Sequence, residues 1–133
     1  MKVEDVEGIG PAYAQKLIKA GVKTTDELLA RGAKPKGRGE LETATGISHA
    51  KILEWVNRVD LYRLKGVGSE YSDLLEAAGV DSPAELAHRV PANLVAKMQE
   101  LNKAKKLVRV VPGEKTVTDW IEQAKKLPKV VEH

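Results

Sequence analysis

Apolar positions along this chain recur at helical intervals, and they do so in two matching series. In the first series Tyr13, Ala14, Leu17 and Ile18 return every three to four residues, the spacing that lines one face of an α-helix. Pro11 suits a first helical position, where its missing N–H costs nothing. Gly21 suits the left-handed residue that closes a helix. Thr24 and Glu27 then make a capping-box pair that predicts a second helix over 25–31. A third helix is expected over 37–45, closed by Gly46. A fourth is expected over 49–59 behind Ser48 as N-cap, with Ile52, Trp55, Val56 and Val59 on one face. Asp60 is expected to cap a short helical turn over 61–64.

The second series repeats the first. Residues 8–29 (GIGPAYAQKLIKAGVKTTDELL) and 66–87 (GVGSEYSDLLEAAGVDSPAELA) are 58 positions apart and share nine of 22 residues, among them Gly8/Gly66, Gly10/Gly68, Tyr13/Tyr71 and the Ala-Gly-Val at 20–22 and 78–80. Ser82 and Glu85 repeat the capping box, and Pro83 follows at a helix-start position. Helices are therefore expected over 83–88, over 91–102 behind Pro91, and over 117–127 up to Pro128. Val117, Trp120, Ile121 and Ala124 repeat the apolar face of 49–59. Trp55 and Trp120 are 65 positions apart, so the second copy carries seven extra residues, placed in LVRVVPGEK (107–115). Within that stretch only VRVV (108–111) reads as extended. The expected organisation is two all-α units, 1–60 and 61–127, with a polar tail over 128–133. A unit of about 60 residues is marginal alone, so the two are expected to pack into one compact body.

Composition narrows the function classes. Apolar residues make up 42% and charged residues 31%, as in a globular protein. Cysteine is absent, which removes disulfides, thiol chemistry and Cys-based zinc sites. No apolar run approaches the roughly 18 residues of a membrane span. The opening MKVEDVEG has no apolar signal core. The expected location is therefore the cytoplasm, with no membrane partner. The net charge is only +3, and it is spread evenly: 10 basic and 9 acidic residues through Leu61, 12 and 10 beyond it. A nucleic-acid partner is permitted by this balance but not demanded. His49, His88 and His133 have no metal-binding spacing. No phosphate-loop lysine, nucleophile elbow or dinucleotide fingerprint is present. A non-enzymatic binding module without cofactor is the expectation.

The segment VEDVEGIGPAYAQKLI (3–18) resembles the helix-hairpin-helix motif, and DLYRLKGVGSEYSDLL (60–75) resembles it again. The layout as a whole resembles an uncharacterised bacterial family of the helix-hairpin-helix superfamily, in which two such SAM-like units of four to five helices follow one another. The resemblance implies that the paired hairpins grip a sugar-phosphate backbone without reading bases. The implied binding positions are Gly8, Ile9, Gly10 and Ala12 in the first hairpin and Gly66, Val67, Gly68 and Glu70 in the second. It also implies that some members hold a monovalent cation on hairpin carbonyls. The physical rationale is that a glycine corner lets a ligand approach the backbone, and amides at a helix N-terminus attract an anion.

Local charge discriminates between the hairpins. Glu4, Asp5 and Glu7 precede the first and repel a phosphate by about 1 kcal/mol per poorly screened pair, with Lys16 and Lys19 as partial offset. Arg63 and Lys65 precede the second, and Ser69 adds a hydroxyl, although Glu70 and Asp73 follow. The second hairpin is thus the preferred site. Lys103, Lys105 and Lys106 form the densest basic patch and are the expected auxiliary contacts. KPKGR (34–38) reads as a solvated basic loop. Lys125, Lys126 and Lys129 suit a helix C-terminus. Trp55 and Trp120 read as core anchors, and Tyr13 and Tyr71 as core or subunit-contact residues. The leading expectation is weak, non-sequence-specific binding of duplex DNA or another nucleic acid. The alternative is a protein partner or self-association, with the hairpins purely structural.

Overall fold

Helix signals dominate the chain, and helices are what form. The computed structural model describes residues 1–133 and is all-α, with a 3-10 turn at Val3–Asp5 and eight α-helices. These are α1 (Gly10–Lys19), α2 (Thr25–Gly32), α3 (Pro35–Thr45), α4 (His49–Leu61), α5 (Ser69–Ala77), α6 (Pro83–Leu86), α7 (Pro91–Lys105) and α8 (Glu114–Lys126). The chain divides into two compact units. Unit 1 is Met1–Asp60 with Lys129–His133, and unit 2 is Leu61–Pro128.

The same hydrogen bonds hold the joints of each unit. At the end of α1, Val22 N–H donates to Leu17 O (2.8 Å) and Gly21 N–H to Ile18 O (3.0 Å). At the end of α5, Val80 N–H donates to Leu75 O (2.8 Å) and Gly79 N–H to Glu76 O (3.0 Å). This pair of bonds satisfies carbonyls that a helix end leaves without partners. Thr24 Oγ1 accepts from Glu27 N–H (3.2 Å) and Ser82 Oγ from Glu85 N–H (3.2 Å), capping α2 and α6 alike. Arg31 Nη1 donates to Ala20 O (2.7 Å), and Arg89 Nη2 to Ala78 O (3.3 Å). Tyr13 packs on Trp55 at 5.1 Å between ring centroids, and Tyr71 on Trp120 at 5.3 Å. Both tryptophans are buried, so each unit closes its core around one indole and one phenol.

Several boundaries differ from the sequence expectation. The α4 helix runs through Asp60 to Leu61, so Asp60 is a buried residue within that helix. The α6 helix is only four residues long, and α7 continues three residues past 102 to Lys105. Residues 108–111 form no strand. Val108 is buried while Val110 is largely exposed, and Asn102 pins the segment by accepting from Val108 N–H and donating to Val108 O (both 3.0 Å). The one β-type pairing is an isolated antiparallel bridge between Lys2 and Thr24. Residues 129–133, expected to form a polar tail, dock on unit 1: Val131 is buried, and Glu132 N–H donates to Ala33 O (2.7 Å).

Candidate nucleic-acid interface

The two glycine corners are built alike at their first glycine and differently at their second. Gly8 and Gly66 both sit at φ 91°, a left-handed conformation that glycine adopts at least cost. Gly10 is also left-handed at φ 69°. Its counterpart Gly68 is extended, at φ −108° and ψ −161°, and serves as the N-cap of α5. Side chains added at Gly8, Gly10 or Gly68 meet no atom within 4 Å, so these corners face open space. At Gly66 an added Cβ lies 3.1 Å from Trp120 Nε1, so the buried indole supports the second corner from beneath.

Ile9 and Val67, expected among the contact positions, are turned inward. Both side chains are buried. Their amides donate to Val6 O and Leu64 O (3.2 Å each), so neither N–H is offered to a ligand. They are plugs that fix each corner to its core. What remains outward is the first turn of the following helix. Neither Ile9 nor Gly68 supplies a side-chain cap to α1 or α5, and the first amides of a helix have no partner within it.

The second corner is held by a contact that sequence reasoning did not find. Gln123, one turn beyond Trp120 on α8, accepts from Lys65 N–H (2.8 Å) through Oε1 and donates to Lys65 O (3.2 Å) through Nε2. The primary amide thus pairs with both main-chain groups of one residue and is itself oriented by Asp119 (2.9 Å). The only signal in the sequence was a polar residue beside an apolar helix stripe. Lys65, Gly66, Gly68 and Glu70 are exposed around this corner. Ser69 Oγ lies 3.2 Å from Tyr62 Oη, so its hydroxyl already has a neighbour. Arg63 donates to Pro128 O (3.1 Å), which directs its guanidinium along the surface of unit 2.

At the first corner Gly8 and Ala12 are exposed, and so are Glu4, Asp5 and Glu7. Lys16 lies further along α1, with its ammonium 5.9 Å from the Tyr13 ring centroid. Lys51 of α4 approaches the same ring at 5.2 Å and the Trp55 ring at 5.9 Å. Lys51 joins Lys16 here and went unnoticed in the sequence because it belongs to another helix. Lys103 and Lys105 end α7, and Lys106 closes it in a left-handed conformation at φ 50°. All three are exposed. They sit where cations favour a helix dipole, on a different element from residues 65–70.

The expected basic loop 34–38 does not exist. Pro35 opens α3 directly, and Arg38 is completely buried. Its Nη1 donates to Gly32 O (2.7 Å) and Ala33 O (3.2 Å), its Nη2 to Glu132 O (2.6 Å) and its Nε to His49 Nε2 (3.1 Å). Burial pulls its pKa below the ordinary arginine value, opposed by the Glu132 carboxylate. No cluster of three or more metal-ligating side chains is present, and no helix is long and apolar enough to cross a membrane.

Neither the curated proteins nor the solved structures contain a match to this chain. A family model does match, over residues 7–127, and so spans both glycine corners and both tryptophan helices. The chain accordingly belongs to the family described as Domain of unknown function (DUF4332).

Proposed function

We propose that the protein is a non-enzymatic, tandem helix-hairpin-helix module that binds nucleic acid weakly and without base specificity, one phosphate at the second corner being the principal contact. The observation that carries this reading is the open start of α5, where no side chain caps the helix and Gly68 faces open space beside Lys65. In each unit the helix after the loop is capped by its own side chain, Thr24 or Ser82, whereas the helix after the glycine corner has no side-chain cap. An anion at that open helix start takes up donors that the protein leaves unused. Lys65 adds charge beside it, and Gly68 leaves room for a phosphate oxygen to approach.

Glu70, in the first turn of α5, and the three carboxylates before Gly8 oppose an anion. Binding is therefore expected in the micromolar range or weaker. The same carboxylates favour the second reading, a protein partner at these corners. A mobility or anisotropy titration with long duplex at low salt separates the two. Binding that Lys65→Glu and Gly68→Val both weaken supports the phosphate contact. No detectable binding, together with recovery of one stoichiometric protein partner, supports the adaptor.

A further inference from the structure

The third helices of the two units begin alike and then differ at one buried position. Lys34 and Val90 are extended N-caps, followed by Pro35 and Pro91. Three residues after each proline comes a residue whose amide donates back to the N-cap carbonyl: Arg38 to Lys34 O (3.1 Å) and Leu94 to Val90 O (3.0 Å). Both side chains are fully buried. Unit 2 fills this place with a leucine, and unit 1 fills it with a guanidinium. Burying a cation is costly unless its donors are satisfied, so a core that accepts leucine in one copy has no packing need for arginine in the other.

What the guanidinium does instead is hold a main chain. Its Nη2 donates to Glu132 O (2.6 Å), and Glu132 N–H donates to Ala33 O (2.7 Å), so both main-chain polar groups of that residue are taken. Val131 is buried beside it, and the His133 ring lies 2.8 Å from Asn57 Oδ1. Arg38 is aimed by Gly32 O, Ala33 O and His49 Nε2, all belonging to unit 1 itself. The Glu132 side chain is exposed. The segment is therefore held by the Val131 side chain, the main chain of Glu132 and the His133 ring.

We propose that unit 1 carries a receptor for a short peptide segment, with Arg38 as its carbonyl-binding donor, and that residues 129–133 of this chain are its ligand. The same segment supplied in trans, as a free peptide or by a second copy, takes the place when the chain's own segment is withdrawn.

The test uses a fluorescein-labelled, C-terminally amidated peptide of residues 128–133 and full-length chains. In the wild-type chain the receptor is occupied, so the peptide binds weakly. A Val131→Asp chain ejects its own segment and binds the peptide saturably, about tenfold or more tightly than wild type. Adding Arg38→Leu, which copies the Leu94 solution, reduces that binding about tenfold or more, as expected for loss of a charge-assisted hydrogen bond. Changes in the peptide keep the test valid whatever Arg38→Leu does to folding. Glu132→Pro in the peptide deletes the N–H and abolishes binding, whereas Glu132→Ala keeps both main-chain groups, loses only the exposed carboxylate's attraction for Arg38, and weakens binding by less than about tenfold. No saturable binding to the Val131→Asp chain overturns the proposal. So does a Glu132→Pro peptide that binds as well as its parent.

Discussion

Unit 1 and unit 2 share their joints and differ in what lies between them. The helix closures, the side-chain caps, the arginine-to-carbonyl bonds and the tyrosine–tryptophan pairs recur in both. Against that constancy, Arg38 stands where unit 2 has Leu94, and Gly10 is left-handed where Gly68 is extended. Tyr13 is flanked by two lysines, whereas the Tyr71 hydroxyl donates to Val110 O (3.2 Å). The lesson is that the helix ends of both units are specified by bonds close in sequence, whereas each core is closed by a tyrosine–tryptophan pair whose members lie on distant helices.

That comparison can be broken or sharpened by substitution. The largest effect is expected at Gly37. A Cβ there overlaps the Arg31 carbonyl oxygen, a backbone atom that cannot move aside. Gly37→Ala should destabilise unit 1 by more than about 4 kcal/mol, beyond the usual range for one substitution. The matching residue of unit 2, Asn93, is exposed, and Asn93→Ala should change stability by less than about 0.5 kcal/mol. Urea unfolding followed by tryptophan emission reads both. Next is the exchange of core residues. Leu94→Arg buries a guanidinium with no peptide to hold and should cost about 3 kcal/mol or more, while Arg38→Leu should cost clearly less.

Smaller effects test the joints. Gly10→Val places a β-branched residue at φ 69° and should cost about 2 kcal/mol by thermal denaturation. Thr24→Ala and Ser82→Ala should each cost about 1 kcal/mol, and near-equal values are the signature of a duplicated cap. Gly68→Val should have the smallest effect, below about 0.5 kcal/mol, because its φ is ordinary and the space is open. It should nonetheless weaken duplex binding, since the valine stands in front of the α5 amides.

Much of this frame was readable from residue order. The Thr24–Glu27 and Ser82–Glu85 spacings, the glycines at 21 and 79 and the tryptophan faces each act within a few positions, so their physics is local. What escaped were the contacts made across long stretches of chain. Arg38 reads as a surface residue because Lys34 and Lys36 surround it, and only its carbonyl partners at 32, 33 and 132 explain its burial. Gln123 is 58 positions from Lys65, the residue whose main chain it clamps. Lys51 meets Lys16 only because α1 and α4 share a tyrosine. At the candidate site, Gly8, Gly10, Gly66 and Gly68 were found as corners. Ile9 and Val67 were misassigned, because the inward plug and the outward amide occupy one short motif and sequence alone does not say which way each residue faces.

The most direct measurement of the central claim is the dependence of duplex affinity on ionic strength for the wild-type chain. If one or two phosphates are held at the corners, log K should fall linearly with log salt, with a slope between about −1 and −2. A slope indistinguishable from zero, or no binding at low salt, would contradict the account.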